Sequence, residues 1–89
     1  MKTEIKLPED NILKARMRLV LDLISKEESV YELLELVDWD SAYIYSLLRK
    51  MNKNKLIDYG VSINYPWLTP LGKEYLKEFN KLIIQHKGR

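Results

Sequence analysis

Apolar residues return along this chain at helical intervals, broken once by an alternating stretch. From Asn11 to Ser25 they fall at Leu13, Met17, Val20, Leu21 and Ile24, the three-and-four spacing that places side chains on one face of an α-helix. A second stripe of Ile12, Leu19 and Leu23 lies beside the first. The combined arc is wider than one small core needs, which predicts a helix covered on two sides or shared with a second subunit. Pro8, Glu9 and Asp10 supply its start, since proline is tolerated in a first turn and acids face the positive end of the helix dipole. Lys14, Arg16 and Arg18 occupy the remaining surface and read as a solvated face rather than a phosphate-contacting one.

A polar break over Lys26–Ser29 ends this element. Ser29 followed by Glu32 is a capping-box pattern, opening a short helix SVYELLELV with Val30, Leu33, Leu34 and Val37 inward and Tyr31, Glu32 and Glu35 outward. Asp38, Trp39 and Asp40 interrupt it; either aspartate can accept from the first free amides of the next helix. Trp39, with its large apolar indole, is expected to plug the space between helices.

The stretch from Asp38 to Ile57, DWDSAYIYSLLRKMNKNKLI, then carries the least ordinary surface of the chain. Ile44, Leu47, Leu48 and Met51 share one face of a helix over 40–52, and Ser41, Ala42, Tyr45, Ser46 and Arg49 fall on the other. A helix surface that serves solubility alone is usually rich in Lys and Glu. Short polar, aromatic and basic residues together point to binding. Asn52 and Asn54 are candidates for the left-handed residue that closes the helix. Leu56, Ile57 and Tyr59 begin a strand, GVSIN is a link, and YPWLT is a second strand able to pair as a hairpin, with Pro66 on an edge because it has no amide to donate. Thr69 as cap and Pro70 at the first helical position restart a helix whose stripe is Leu71, Tyr75, Leu76, Phe79, Leu82 and Ile83. Residues 1–7 are expected to form a loosely docked arm, and 86–89 a basic, frayed end.

Composition narrows the functional classes. The 89 residues suit one domain, 46% hydrophobic and 31% charged, which fits a globular chain rather than a disordered one. The abundance of Lys, Glu, Ile, Leu and Tyr is of a kind met in thermophiles. Cysteine is absent and His86 is the single histidine, so a zinc site of His and Cys ligands is excluded and no histidine-based triad is expected. No apolar run approaches the ~20 residues of a membrane span. The N-terminus lacks the apolar core of a signal peptide, so a cytoplasmic location and no cofactor are expected. Glu32 and Glu35 lie on a solvent face with no nucleophile and base pair in view, and no enzymatic activity is expected. With a net charge of +2, the placement of charge matters more than its sum. Arg49, Lys50, Lys53 and Lys55 place four cations within seven residues, with no acid between them.

The order helix, short helix, helix, hairpin, helix, together with Ser41–Ile57 and the run WLTPLGKEYL from Trp67 to Leu76, resembles the winged helix-turn-helix family. Over residues 12–80 the chain is similar to small archaeal regulators, including those of archaeal viruses and plasmids, and the second run resembles that family's LT-x-x-G-K-x-x-L pattern. The resemblance implies a mainly α fold with a small β-hairpin, double-stranded DNA as partner, and the helix after the turn in the major groove. Carried over, the DNA-facing candidates are Ser41, Ala42, Tyr43, Tyr45, Ser46 and Arg49, followed by Lys50, Lys53 and Lys55 as backbone neutralisers. The chain departs from the family at Lys55, where glycine is common; Asn54 is expected to take the left-handed position instead. It departs again in the wing, where Asp58 is the one charged residue between Ile57 and Leu68, so salt-dependent affinity is expected from the helix and not the wing.

The implied regulator is a homodimer, its interface drawn from Ile12, Leu19, Leu23, Phe79, Leu82 and Ile83. An effector site, if present, is expected near Trp39 and the first helix. The alternative is a winged-helix protein-interaction module using Tyr43, Tyr45, Tyr59, Ile63 and Tyr65, since aromatics dominate interface energetics.

Overall fold

The computed structural model describes residues 7–87, with side chains as far as Lys81. Its elements run α1 (Asn11–Ser25), α2 (Val30–Leu36), α3 (Ser41–Lys53), β1 (Ile57–Asp58), β2 (Trp67–Leu68) and α4 (Pro70–Lys87). The result is a mainly helical chain with one small antiparallel hairpin, in the order expected. Of the arm expected over 1–7, residues 1–6 lie outside the described residues, while Leu7 is half-buried against the core; the side chains of Leu82 and Ile83 and of the basic end over 86–89 are also outside.

The helical stripes meet in one core. Met17, Val20, Leu21 and Ile24 of α1 are buried against Val30 and Leu33 of α2 and against Ile44, Leu47, Leu48 and Met51 of α3, with Leu56, Ile57 and Phe79 closing it. α1 lies along α4 and β2, while α3 packs on β1. Phe79, expected at a subunit interface, is 3% exposed within the single chain. This corrects the reading of Phe79: its side chain faces the core of its own chain and offers no surface to a second.

Each helix is opened by its sequence. Asp10, one residue before α1, accepts from the amides of Ile12 and Leu13, so the acid caps the helix from outside and Pro8 and Glu9 precede it. Before α2, the Ser29 amide donates to Glu32 Oε1 at 2.6 Å. That bond comes first, and the Ser29 hydroxyl second, in holding the Glu32 carboxyl below its ordinary range. The neighbouring Glu28 is raised, chiefly by its hydrogen bond with Glu32 and then by repulsion from it. Asp40 stands at the cap of α3, but its carboxylate bonds no helix amide.

Helix ends depart from expectation in one instructive way. The left-handed residue after α3 is Lys55, with φ 66°, while Asn54 keeps φ −87°. The Leu56 amide reaches back to the Met51 carbonyl and the Lys55 amide to that of Asn52, the paired bonds of a Schellman ending. Position decides here. Leu56 is 1% exposed, and the turn must close one residue before it for that side chain to enter the core. α1 ends the same way through Glu27, with φ 63°. Because a left-handed backbone costs a non-glycine residue about 1–2 kcal/mol, Lys55→Gly is expected to raise the thermal midpoint by roughly 4–16 °C, measured by circular dichroism.

The hairpin is shorter than the alternation predicts. β1 and β2 hold two residues each, registered Ile57 with Leu68 and Asp58 with Trp67. The connection folds into two successive turns, Tyr59 to Ser62 and Ser62 to Tyr65, rather than extending as a ribbon. Asp58 Oδ1 accepts from the amides of Tyr59 and Gly60, bending the chain as soon as β1 ends. The far side is tied to α2, where the Val30 amide donates to the Asn64 carbonyl at 3.0 Å and the Tyr31 and Tyr65 rings meet edge to face at 6.1 Å. α4 then starts as expected: Thr69 Oγ1 accepts from the Gly72 amide, and the Thr69 amide donates to the Leu56 carbonyl.

Candidate nucleic-acid interface

The apolar face of α3 is sealed by the core, with Ile44, Leu47, Leu48 and Met51 at 5% exposure or less. By helical geometry the opposite face carries Ala42, Ser46, Arg49 and Lys53, and all four are exposed. Ser41, Lys50 and Lys55 are exposed around this stripe. Seven of the nine DNA-facing candidates therefore stand in solvent on one element and its C-terminal turn.

Tyr43 and Tyr45 do not join them. Both are half-buried and packed against the core, one on each flank of the stripe. Tyr45 donates its hydroxyl to Asn64 Oδ1 at 2.7 Å, and Asn64 Nδ2 donates in turn to the Tyr31 hydroxyl at 3.1 Å. Asn64 thus clamps the hairpin connection to α2 and α3 together. Tyr43 meets Trp39 edge to face at 6.1 Å, and the Arg16 guanidinium lies 5.1 Å from the Trp39 ring and 5.0 Å from that of Tyr43. Trp39 is the inter-helix plug that its indole predicts. Arg16 is no simple solvated cation: it fixes α1 to the start of α3 by cation–π contact. The pattern puts Tyr45 on the outer face; its place on the flank of α3 and its bond to Asn64 set it against the core, which corrects that reading.

On the hairpin side Asn52 Nδ2 donates to the Ile57 carbonyl at 3.0 Å, holding the basic end of α3 to β1. The wide connection from Tyr59 to Pro66 brings no cation there. Val61 within it is fully exposed.

Charge is divided between the chain before α3 and the C-terminal end of α3. Residues 27–48 contain six acids, Glu27, Glu28, Glu32, Glu35, Asp38 and Asp40, and no Lys or Arg. Cations begin at Arg49 and run to Lys55. The ion pairs among the described residues lie elsewhere, on α1 and α4, as Lys26–Asp22, Lys77–Glu74 and Lys81–Glu78. Arg49, Lys50, Lys53 and Lys55 are thus left without a neutralising partner there. Lys50 and Lys53 in the last turn also complement the negative end of the helix dipole, which places them well for the fold as for a phosphate.

Among the interface residues expected between subunits, Ile12 is 64% exposed and Leu19 and Leu23 are half-buried. Ile12, Ala15, Arg16, Leu19 and Trp39 line an open groove of about 390 Å³ on the outer side of α1. This is where an effector site was expected. No group of His, Cys, Asp or Glu that could hold a metal ion occurs among the described residues. No described helix is long and apolar enough to cross a membrane.

No protein-family model, no curated protein and no solved structure matches this chain. Its functional reading rests on its own residues.

Proposed function

We propose that this chain is a winged helix-turn-helix protein that binds double-stranded DNA as a homodimer and acts as a transcriptional regulator in the cytoplasm. The observation that carries the reading is the exposed stripe Ala42, Ser46, Arg49 and Lys53 on a helix whose other face is locked into the core. Small residues at its start let the helix approach base edges closely. Arg49 has the forked donors that match a guanine or a phosphate, and Ser46 can donate to either. Lys50, Lys53 and Lys55 then neutralise the backbone, while the uncharged hairpin adds no counterion release. In this reading α2 and α3 form the helix-turn-helix, β1 and β2 the wing, and no catalytic step is involved.

The protein-interaction alternative loses most of its surface, because Tyr43, Tyr45, Tyr59 and Ile63 pack against the core. Tyr65 alone of that set is exposed, and it leans on Tyr31.

The dimer uses the outer side of α1, where Ile12, Ala15 and Leu19 follow one another at helical spacing. Two α3 helices would then address major grooves about 34 Å apart. Fluorescence anisotropy on duplex DNA over a salt series tests the function. Four cations from each protomer predict a slope of log affinity against log salt near −7, at roughly −0.9 per phosphate neutralised. Absence of binding at about 50 mM salt, where such contacts are strong, would remove the proposal. Leu19→Glu is expected to give a folded monomer by light scattering and to halve that slope. A variant that stays dimeric moves the interface off α1.

A further inference from the structure

A second hollow lies behind the reading face of α3, and nothing in the DNA reading uses it. It encloses about 260 Å³ between α1, α3 and α4, floored by Leu13 and Met17 of α1, Leu47 and Met51 of α3, and Leu56. Leu7 and Pro8 form one edge and Tyr75 another. The volume sits just under the roughly 300–1,000 Å³ of ordinary small-molecule sites.

Its rim is polar at one place. Lys50, in the last turn of α3, and Asn54, the residue that caps it, both line the hollow. Neither side chain makes an ion pair or hydrogen bond with a described residue. The hollow therefore offers an apolar floor with an ammonium and a carboxamide at its mouth. That donor set matches a single carboxylate, with Lys50 supplying charge and Asn54 Nδ2 a hydrogen bond. The floor is Leu and Met, and the flexible, unbranched Met17 and Met51 side chains can adapt to an aliphatic chain.

We propose that this hollow is a binding site for short aliphatic carboxylates, held by Lys50 and Asn54 over the Met17 and Met51 side chains. Its consequence for regulation rests on the DNA reading above: a carboxylate on Lys50 cancels one of the cations beside the DNA-facing stripe, and a chain against Leu47 and Met51 bears on the buried face of the same helix.

The test is methyl NMR of the DNA-free protein carrying labelled methionine, titrated with octanoate and with octanol. Saturable shifts of the Met17 and Met51 methyls by octanoate are expected, with octanol weaker by roughly two- to five-fold, the strength of an exposed charge pair. Lys50→Gln lies on the surface, leaves the fold intact, and is expected to bring octanoate down to the affinity of octanol. No saturable shift, or equal affinity of the acid and the alcohol for the unaltered protein, would overturn the site. DNA is absent from the titration, so failure of the pocket and failure of the DNA reading are separate results. If both stand, octanoate should weaken DNA binding by the unaltered protein, and Lys50→Gln should need roughly two- to five-fold more octanoate for the same fractional loss.

Discussion

Gly72→Ala is expected to destabilise the chain by about 3 kcal/mol or more, lowering the thermal midpoint by roughly 12–24 °C. The sign is diagnostic, because alanine in place of glycine inside a helix ordinarily stabilises by about 0.5–1 kcal/mol. Gly72 sits in the first turn of α4, and a methyl group there would overlap the Leu56 carbonyl oxygen and lie 3.0 Å from the carbonyl carbon. Both atoms are backbone. They cannot retreat without loss, since the same carbonyl accepts from the Thr69 amide and, at 3.1 Å, from the Thr69 hydroxyl. Thr69 in turn caps α4 through the Gly72 amide at 3.0 Å. One close approach therefore joins the end of α3, the start of β1 and the start of α4. Gly60→Ala is the comparison: its new methyl would meet the Trp67 ring at an ordinary 3.4 Å, leaving mainly the cost of φ 56°. That cost is about 1–2 kcal/mol. Thermal denaturation of both variants separates the two mechanisms, and equal losses would refute the packing argument for Gly72.

The same junction marks how far the sequence could be read. Thr69, Pro70 and Gly72 are visible as a run resembling a family pattern, and capping chemistry predicts Thr69 and Pro70 from their residue types alone. The reason for Gly72 is not local: it is the carbonyl of a residue far back in the chain. Phe79 shows the same limit. Periodicity assigns it to the apolar stripe of α4, but whether that stripe meets its own core or a second subunit depends on how α4 lies against α1. At Lys55 residue preference pointed to Asn54, and the need to bury Leu56 outweighed it. The hairpin was over-read for a related reason, because Tyr59 and Tyr65 continue the two expected strands by residue type yet serve a connection folded back onto α2.

The candidate interface was legible where periodicity is unambiguous. Ala42, Ser46, Arg49 and Lys53 lie opposite the buried residues by helical geometry, and the structure leaves them exposed. Tyr43 and Tyr45 lie on the flanks, where direction is set by partners that a pattern does not show: Trp39 and Arg16 for one, Asn64 for the other. The polar clamp at Asn64 carried no signal in the sequence beyond its place in a turn.

Placement rather than amount of charge governs the last expectation. Arg49→Ala/Lys53→Ala removes two cations from the outer stripe of α3, and Lys77→Ala/Lys81→Ala removes two from α4, so both variants lose the same net charge. The α4 lysines are already paired, at 3.5 Å with Glu74 and 3.3 Å with Glu78, and such exposed pairs contribute at most about 1 kcal/mol to stability. Both variants are therefore expected to fold. On duplex DNA the α3 variant should lose on the order of 100-fold in affinity, from a forked Arg49 contact of about 1–3 kcal/mol and the phosphate contact of Lys53, repeated in each protomer. Its salt slope should become shallower by roughly 3.6, at about 0.9 for each of the cations lost across a dimer. The α4 variant should keep both affinity and slope within error, since its charges lie on another helix and are neutralised in place. Equal losses in the two variants would mean that binding responds to net charge alone. The reading surface would then have to be sought away from α3, because a nonspecific field makes no distinction between helices.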